Sequence, residues 1–219
     1  MSHVYWPAPR MWPGETIAII GGGPSLTQQQ VDACKGKCRV IAINDSLRLA
    51  PWCDVHYFCD EKWWNWHHEK DWYKGFTGLR VTLENPKLCA LADIKSLRNL
   101  GVGGLSENPE GVHTGQNSGY QCMNLALHLG AARILLLGVD MGELEVNGQK
   151  RNHWFGDHPD PTGMGIYQMM IRHYEKAGEA IAAKGILVLN CSATSALECF
   201  KKETVESALL DPHEPALPT

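Results

Sequence analysis

The stretch from Thr16 to Ser25 constrains the fold most, because it joins an apolar run to a run of glycines. Thr16 to Ile20 is short and apolar, and Gly21-Gly22-Gly23-Pro24 follows at once. This pattern predicts a buried strand closed by a tight turn. The next segment, Leu26 to Cys34, is predicted to be a helix with Ser25 as its N-cap. A buried strand that turns directly into a helix is typical of α/β folds.

Strands and helices continue to alternate along the chain. The further predicted strands are Arg39–Ile43, Asp54–Cys59, Leu79–Leu83, a short one near Leu97–Leu100, Arg133–Val139 and Ile186–Leu189. The predicted helices are Glu61–Tyr73, Ser118–Leu129, Gly165–Lys184 and Thr194–Leu210. Asn147-Gly148 predicts a hairpin within Glu143–Arg151. The sequence therefore predicts one α/β domain over residues 16–210, with a mostly parallel sheet covered by helices on both faces. Residues 1–15 form an N-terminal extension and residues 211–219 a flexible tail.

Composition excludes several classes of protein. The net charge is −4, from 20 basic and 24 acidic residues, which argues against binding duplex nucleic acid by bulk charge. No apolar run reaches the roughly 18–20 residues of a membrane span, and Met1–Pro13 lacks the apolar core of a signal peptide. Among the eight cysteines only Cys34 and Cys38 form a close pair, so no structural metal site is predicted. Free thiols and the missing signal predict a cytoplasmic protein.

Parallel sheets bind ligands outside the carboxyl ends of their strands, so the residues at and just after the end of each predicted strand are candidates for ligand contact. These are Gly21, Gly22, Gly23, Pro24, Ser25, Asn44, Asp60, Gly138, Asp140 and Asn190. The glycine turn is suited to bind phosphate, with a plain tight turn as the alternative. Asn44 is suited to bind a base or a sugar, with an Asx turn as the alternative. Asp140 is suited to act as a base, a metal ligand or a ribose acceptor, or to cap a loop.

Two loops add candidates. A polar loop leads into the helix near residue 118, and its Ser118 and Gly119 would offer N–H donors to a ligand, unless they only cap and pack the helix. The segment Met141–Gly165 is long for a loop and contains His153 and His158. An imidazole has the pKa that a general base needs near neutral pH. A surface or packing role is the alternative for each histidine.

These pieces together resemble a known superfamily. Ile19-Ile20-Gly21-Gly22-Gly23-Pro24-Ser25-Leu26 resembles the opening motif of the 6-hydroxymethylpterin diphosphokinase (MptE-like) family. It is also similar to the opening of the bacterial sialyltransferases of glycosyltransferase family 42. The later matches are Ile43-Asn44, Ser118-Gly119, Leu136-Leu137-Gly138-Val139-Asp140, the His-aromatic-x-Gly-x-His stretch at 153–158, and Leu189-Asn190. They occur in the family's order over about residues 17–200.

The resemblance implies a Rossmann-like domain in which the glycine turn, Asn44, Ser118-Gly119 and Asn190 surround a nucleotide. In the sialyltransferases a histidine in the loop after the Gly-x-Asp strand is the base, and both His153 and His158 fit that place. Those enzymes also carry tyrosines soon after Gly-x-Asp that steady the departing phosphate. Here that stretch reads Met141-Gly142-Glu143-Leu144, so sialic acid is not implied as the transferred sugar.

Three functions follow from this pattern. The first is a glycosyltransferase that uses a CMP- or UDP-type nucleotide-sugar and a histidine base. The second is a pyrophosphokinase that uses ATP and Mg²⁺, with Asp60 and Asp140 near the metal. The third is a nucleotide-binding module without turnover. The acceptor (a glycan, a small metabolite or a modified nucleobase) and the oligomeric state, a homo-oligomer included, stay open.

Overall fold

Nine strands form one sheet, and all eight of its strand pairs are parallel. The computed structural model describes residues 5–210 except 86, 89–90, 92, 147 and 157–163. The sheet strands are β1 Thr16–Ile20, β2 Arg39–Ile43, β3 Val55–Phe58, β4 Leu79–Leu83, β5 Ile94–Asn99, β6 Gly111–Val112, β7 Arg133–Leu137, β10 Leu187–Asn190 and β11 Lys201–Lys202. A separate antiparallel hairpin is formed by β8 Leu144–Val146 and β9 Gln149–Arg151, as Asn147-Gly148 predicts. The helices are α1 Gln28–Cys34, α2 Glu61–His67, α3 Asp71–Lys74, α4 Ser118–Leu129, α5 Met164–Ala182 and α6 Val205–Leu210, with a 3₁₀ helix at Asn44–Arg48.

The strand order places a topological switch point between β1 and β7. The order is β11-β10-β7-β1-β2-β3-β4-β5-β6. The chain leaves β1 toward β2 on one side and later returns to β7 on the other side. Crossovers that depart in opposite directions open a crevice at the carboxyl ends of the two central strands. The candidate site must therefore be sought above β1 and β7.

The central strands are buried on both faces. Ile17 and Ile19 of β1 belong to one core cluster, while Ala18 and Ile20 belong to the other. This follows from the two-residue period of a strand, which sends successive side chains to opposite faces. Helices α4 and α5 supply residues to the first cluster, and α1, α2 and α6 supply residues to the second. The predicted fold class, a parallel sheet with helices on both faces, is confirmed.

The start of α1 differs from the prediction. The helix begins at Gln28 with Thr27 as its N-cap, in a capping box with Gln30, so Ser25 is not the cap. Thr27 and Gln30 satisfy each other's backbone N–H groups, which is the reciprocal arrangement of that motif. Ser25 is instead held by a residue distant in sequence, as described below.

Two predicted helices are shorter or interrupted. Glu61–Tyr73 is divided into α2 and α3, because Lys70 adopts an extended conformation between them. The prediction of a helix from Thr194 is wrong before Val205. The Ser195 hydroxyl donates to the Val139 carbonyl at 2.8 Å and accepts from the Leu197 N–H at 3.1 Å, which holds this segment in a turn. Strand β11 then follows.

The N-terminal segment packs on the domain where it is described. The Trp12 N–H donates to the Leu129 carbonyl at 2.8 Å, and the Trp12 side chain is buried. The tail 211–219 lies outside the described residues. Within the described part of the chain, every helix is too short or too polar to cross a bilayer.

Candidate active site

A cavity of about 240 Å³ opens at the switch point between β1 and β7. Its walls come from the segments after four neighbouring strands, from the start of α4, from the loop around His153, and from one face of α5. The lining residues are Gly21, Gly22, Gly23, Ile43, Asn44, Asp45, Asp60, Trp63, Asn117, Ser118, Gly119, Gly138, Val139, Asp140, Met141, Gly142, Asn152, His153, Phe155, Tyr167 and Met170. Most of the sequence-predicted site residues thus meet at one place.

Close packing explains two of the three glycines of the turn after β1. A Cβ on Gly21 would lie 2.5 Å from the Gly138 carbonyl oxygen, and a Cβ on Gly23 would lie 2.4 Å from an Asp140 carboxylate oxygen. Real Cβ atoms do not approach so closely, so the turns after β1 and β7 pack in a way that only glycine permits. At Gly22 a Cβ would meet only His153 Nδ1, at 3.4 Å, and Phe155.

The backbone N–H groups of this turn point largely into the protein. Gly21 donates to the Leu137 carbonyl, Gly23 to the Gly138 carbonyl, and Leu26 to the Gly23 carbonyl. Ser25 donates from its backbone N–H to the Asp140 carboxylate at 2.8 Å and from its hydroxyl at 2.6 Å. The turn therefore forms a wall of the cavity, and most of its N–H groups are used within the protein and not offered to a ligand. The prediction that it contacts phosphate remains a prediction.

Asp140 is buried, and each of its carboxylate oxygens accepts a hydrogen bond from Ser25. This corresponds to the loop-capping alternative for Asp140. A carboxylate engaged in this way is a poor fit for Mg²⁺, which needs open oxygen ligands. In the described residues, no group of three or more His, Cys, Asp or Glu side chains is arranged to hold a metal ion. The geometry gives no support to the pairing of Asp60 and Asp140 around Mg²⁺.

Two amide oxygens in the cavity wall have no hydrogen-bond partner within the described part of the chain. These are Oδ1 of Asn44, at the end of β2, and Oδ1 of Asn152, in the loop before His153. Asn44 has a φ of 50°, a left-handed conformation that asparagine tolerates better than most residues. An unpaired buried acceptor costs free energy, so a ligand that offers N–H or O–H groups here would be stabilised.

His153 lies directly over the glycine turn. Its Nδ1 is 3.2 Å from the Gly22 carbonyl oxygen, and Phe155 stacks on its ring with centroids 4.9 Å apart and planes 5° apart. A carbonyl oxygen only accepts, so Nδ1 carries the proton and a neutral ring has its lone pair at Nε2. This tautomer is the one needed for a base that acts through Nε2. His158 lies outside the described residues.

The N-terminus of α4 forms the opposite wall. Asn117 is its N-cap: Oδ1 accepts from the Tyr120 N–H at 3.2 Å and from the Tyr174 hydroxyl at 2.7 Å. A Cβ on Gly119 would lie 2.6 Å from that hydroxyl, so Gly119 is also needed for the packing of α5. Ser118 and Gly119 are the first two residues of a 12-residue helix, and their N–H groups have no partner inside an α-helix. This end of the helix favours an anion.

The lining carries carboxylates and no strong cation. Asp45, Asp60 and Asp140 contribute to it, and none of the described lining residues is lysine or arginine. Asp45 is partly neutralised: it accepts from Trp63 Nε1 at 2.9 Å, and Arg48 is 3.6 Å away. The cavity therefore suits a ligand with little negative charge better than a polyphosphate.

Asn190, Pro24 and Ser25 are not among the lining residues. Asn190 is fully buried, its Nδ2 donates to the Leu197 carbonyl at 3.0 Å, and its Oδ1 accepts from the Ser192 N–H at 3.1 Å. It braces the turn after β10. Sequence reasoning missed Tyr167, and it did not single out Asn117 or Asn152 within the two loops that it identified. Asn117 could have been predicted from the sequence, because it is an asparagine directly before a predicted helix. Tyr167 reaches the cavity only because α5 packs beside it.

The comparisons with solved structures find the sialyltransferase CstII from Campylobacter jejuni. Its complex with a substrate analogue, cytidine-5'-monophosphate, aligns with a TM-score of 0.52 and 14% identity over 87% of this chain and 85% of that one. Its complex with CMP-3FNeuAc aligns with a TM-score of 0.48 and 12% identity over 86% and 85%. At such low identity the first likeness shows a shared fold.

No protein-family model matches the chain, and the search of curated proteins found no significant match. The resemblance to the diphosphokinase family gains no support from these comparisons. The resemblance to family 42 agrees with the shared fold.

Proposed function

We propose that the protein is a glycosyltransferase that moves a sugar from a nucleotide-sugar to an acceptor hydroxyl. The observation that carries this proposal is the position of His153, which lines the same cavity as the glycine turn and holds its Nδ1 against the Gly22 carbonyl oxygen. An oriented imidazole over a ligand cavity at the switch point of a parallel sheet is suited to general-base catalysis.

In the proposed reaction, Nε2 of His153 accepts the proton of the acceptor hydroxyl. The acceptor oxygen then forms a bond to the anomeric carbon, and the bond from that carbon to the phosphate oxygen breaks. The nucleotide leaves with the electron pair of that bond. The N–H groups of Ser118 and Gly119 at the start of α4 would stabilise the phosphate. The acceptor itself stays open among glycans, small metabolites and modified nucleobases.

We further propose a CMP-type donor, with one phosphate. The acidic lining and the lack of lysine or arginine among the described lining residues oppose the binding of two or three phosphates without added cations. The amide oxygens of Asn44 and Asn152 would accept from the amino group of the base or from the ribose hydroxyls. The fold shared with a protein crystallised with cytidine-5'-monophosphate supports the same choice.

A reducing compartment such as the cytoplasm fits the free thiols of the seven described cysteines.

A thermal-shift panel tests the binding part of the proposal. CMP, UDP, GDP, ADP and ATP are compared at equal concentration, with and without EDTA. A ligand at 100 times its Kd raises the free energy of unfolding by about 2.7 kcal/mol, so the preferred nucleotide gives the largest increase in Tm. We expect CMP to give that increase and EDTA to leave it unchanged. A larger, EDTA-sensitive increase with ATP would favour the pyrophosphokinase instead.

Turnover distinguishes an enzyme from a binding module. A CMP-sugar is incubated with the protein and a mixture of hydroxyl acceptors, and free CMP is measured over time. We expect release that requires both the protein and an acceptor. Tight binding of CMP without any release above the spontaneous rate would contradict catalysis.

A further inference from the structure

We propose that Trp154 is a positioning residue that fixes the His153 loop on the glycine turn and thereby sets the tautomer of the imidazole. This inference rests on the proposed function for its effect on turnover. Its structural part concerns only how the loop is held.

Trp154 reaches the glycine turn by two routes. Its backbone N–H donates to the Gly22 carbonyl at 3.1 Å. Its indole Nε1 donates to the Ser46 hydroxyl at 3.3 Å, and that hydroxyl donates to the Gly21 carbonyl at 2.6 Å. The two hydrogen bonds are compatible. The Ser46 hydroxyl donates its proton to the Gly21 carbonyl, so its oxygen is available to accept from the indole N–H. The loop is therefore tied to two consecutive residues of the turn.

The indole ring also contacts two neighbouring side chains. The guanidinium of Arg48 lies 5.7 Å from its centroid, and Phe155 meets it edge-on at 5.3 Å and 87°. Trp154 is half-buried against the core cluster that contains α1 and α2. Phe155 in turn stacks on His153, so the ring orientation of His153 depends on where Trp154 sits.

The same contacts join the loop to residues that face the ligand. Ser46 and Arg48 belong to the 3₁₀ helix that also carries Asn44 and Asp45, both in the cavity wall. Without the indole contact, the loop would lose its tie to Gly21 through Ser46, and the Gly22 carbonyl, the partner that fixes the proton on Nδ1 of His153, would no longer be held at a fixed distance from that nitrogen. A neutral imidazole without such a partner divides its proton between the two nitrogens.

The test uses Trp154→Phe, which keeps an aromatic ring and removes the indole N–H. Trp52→Phe is the matched control, because Trp52 is also half-buried against the same cluster and also carries a cation, Lys35, at 5.7 Å from its ring. The tautomer of His153 is read from the ¹⁵N shifts of its ring in labelled protein, together with kcat and the Kd for CMP.

In wild type and Trp52→Phe we expect the Nδ1–H tautomer, with equal kcat. In Trp154→Phe we expect a mixture of tautomers and a kcat lowered about 10–100-fold, while the Kd for CMP stays within about threefold. An unchanged tautomer in Trp154→Phe would overturn the proposal. Because the ¹⁵N spectrum needs no turnover, the role of Trp154 is decided even where wild type transfers no sugar and the proposed function fails.

Ser46→Ala provides a second variant that alters the same contact from the other side. We expect the double variant Trp154→Phe/Ser46→Ala to contain as much Nδ1–H tautomer as Trp154→Phe alone, if the bond between the indole and the Ser46 hydroxyl is what fixes the His153 loop. Additive losses in the double variant would overturn the transmission through Ser46.

Discussion

Asp140 and Ser25 are 115 residues apart in sequence and share two hydrogen bonds, 2.8 Å from the Ser25 N–H and 2.6 Å from its hydroxyl to the Asp140 carboxylate. Asp140 follows β7 and Ser25 follows β1, so this pair joins the two turns that flank the switch point. The Ala196 N–H donates to the Asp140 carbonyl at 2.8 Å and brings the turn after β10 to the same place. The turns after β1, β7 and β10 thus meet at one carboxylate residue, which also lines the candidate cavity.

The first prediction concerns this pair. Ser25→Ala should lower the free energy of unfolding by about 1.5–3 kcal/mol, because a hydrogen bond to a charged group is lost. Denaturant titration measures the change. As a control, Asp140→Ala should cost less in the Ser25→Ala protein than in wild type, since one of the two bonds is already absent. Equal costs in both backgrounds would show that the two residues are not coupled.

The glycine turn gives a second prediction. Gly23→Ala should destabilise the fold by about 1–3 kcal/mol or more, because its Cβ would meet Asp140 at 2.4 Å and the Gly138 carbonyl oxygen at 2.7 Å. Gly22→Ala is the matched control and should unfold at nearly the wild-type Tm, since its nearest contact is His153 Nδ1 at 3.4 Å. Thermal unfolding of the two variants decides the matter. A Tm equally low for both would contradict the argument that the close approach of Gly23 to Asp140 and Gly138 distinguishes the two positions.

Asn152 gives a third prediction, in which stability and binding change differently. Asn152→Leu removes a buried oxygen that has no partner in the described structure and puts an apolar group of similar shape in its place. The Tm should stay the same or rise, because an unsatisfied acceptor is removed. Affinity for CMP should fall about 10-fold, since one hydrogen bond to the ligand is lost. Isothermal titration measures the affinity, and an unchanged Kd would place Asn152 outside the contact surface.

The order of strands and helices could be predicted because the central parallel strands are mostly apolar and are followed by polar or glycine residues. Thr16–Ile20, Arg39–Ile43, Leu79–Leu83 and Ser118–Leu129 have the predicted bounds. The segment after Thr194, where the predicted helix is absent, is held by a contact distant in sequence. The Ser195 hydroxyl donates to the Val139 carbonyl, and this bond fixes the segment in a turn. No pattern in the neighbouring sequence predicts that bond.

The candidate site also contains residues that the sequence predicts and residues that it does not. Residues that directly follow strands, such as Asn44, Asp60 and Gly138, were found because their place at the sheet edge follows from topology. Asn190 also follows a strand, yet its amide is used within its own turn. Tyr167 reaches the cavity from α5, and the spacing of apolar residues along a helix does not tell which of them faces a ligand.

His56 gives a prediction on pH. The pKa of His56 is lowered from its ordinary value of 6.5 to about 3, chiefly by burial; the Asn44 carbonyl opposes this shift, and the nearby Arg80 and His67 add to it. Below pH 6.5 the unfolded chain binds a proton that the folded chain does not, so stability falls as the pH falls from 6.5 toward 3. The slope from this residue is at most about 1.4 kcal/mol per pH unit. His56→Phe should show a shallower fall of Tm between pH 7 and 4, and parallel curves would contradict the burial argument.

The last prediction concerns the base. His153 is held between the Gly22 carbonyl and the ring of Phe155, with the tautomer that leaves the lone pair at Nε2. His153→Ala should therefore lower kcat by about 10²–10⁴-fold, the usual contribution of a general base. The Kd for CMP should change little, because a group that takes the acceptor's proton contributes to the transition state more than to donor binding. His158→Ala is the comparison, since both histidines fit the place of the base in the sequence and the neighbouring Trp154 and Phe155 favour His153. A loss confined to His158→Ala would move the base to that residue, and turnover within about threefold of wild type in both variants would mean that neither imidazole takes the proton.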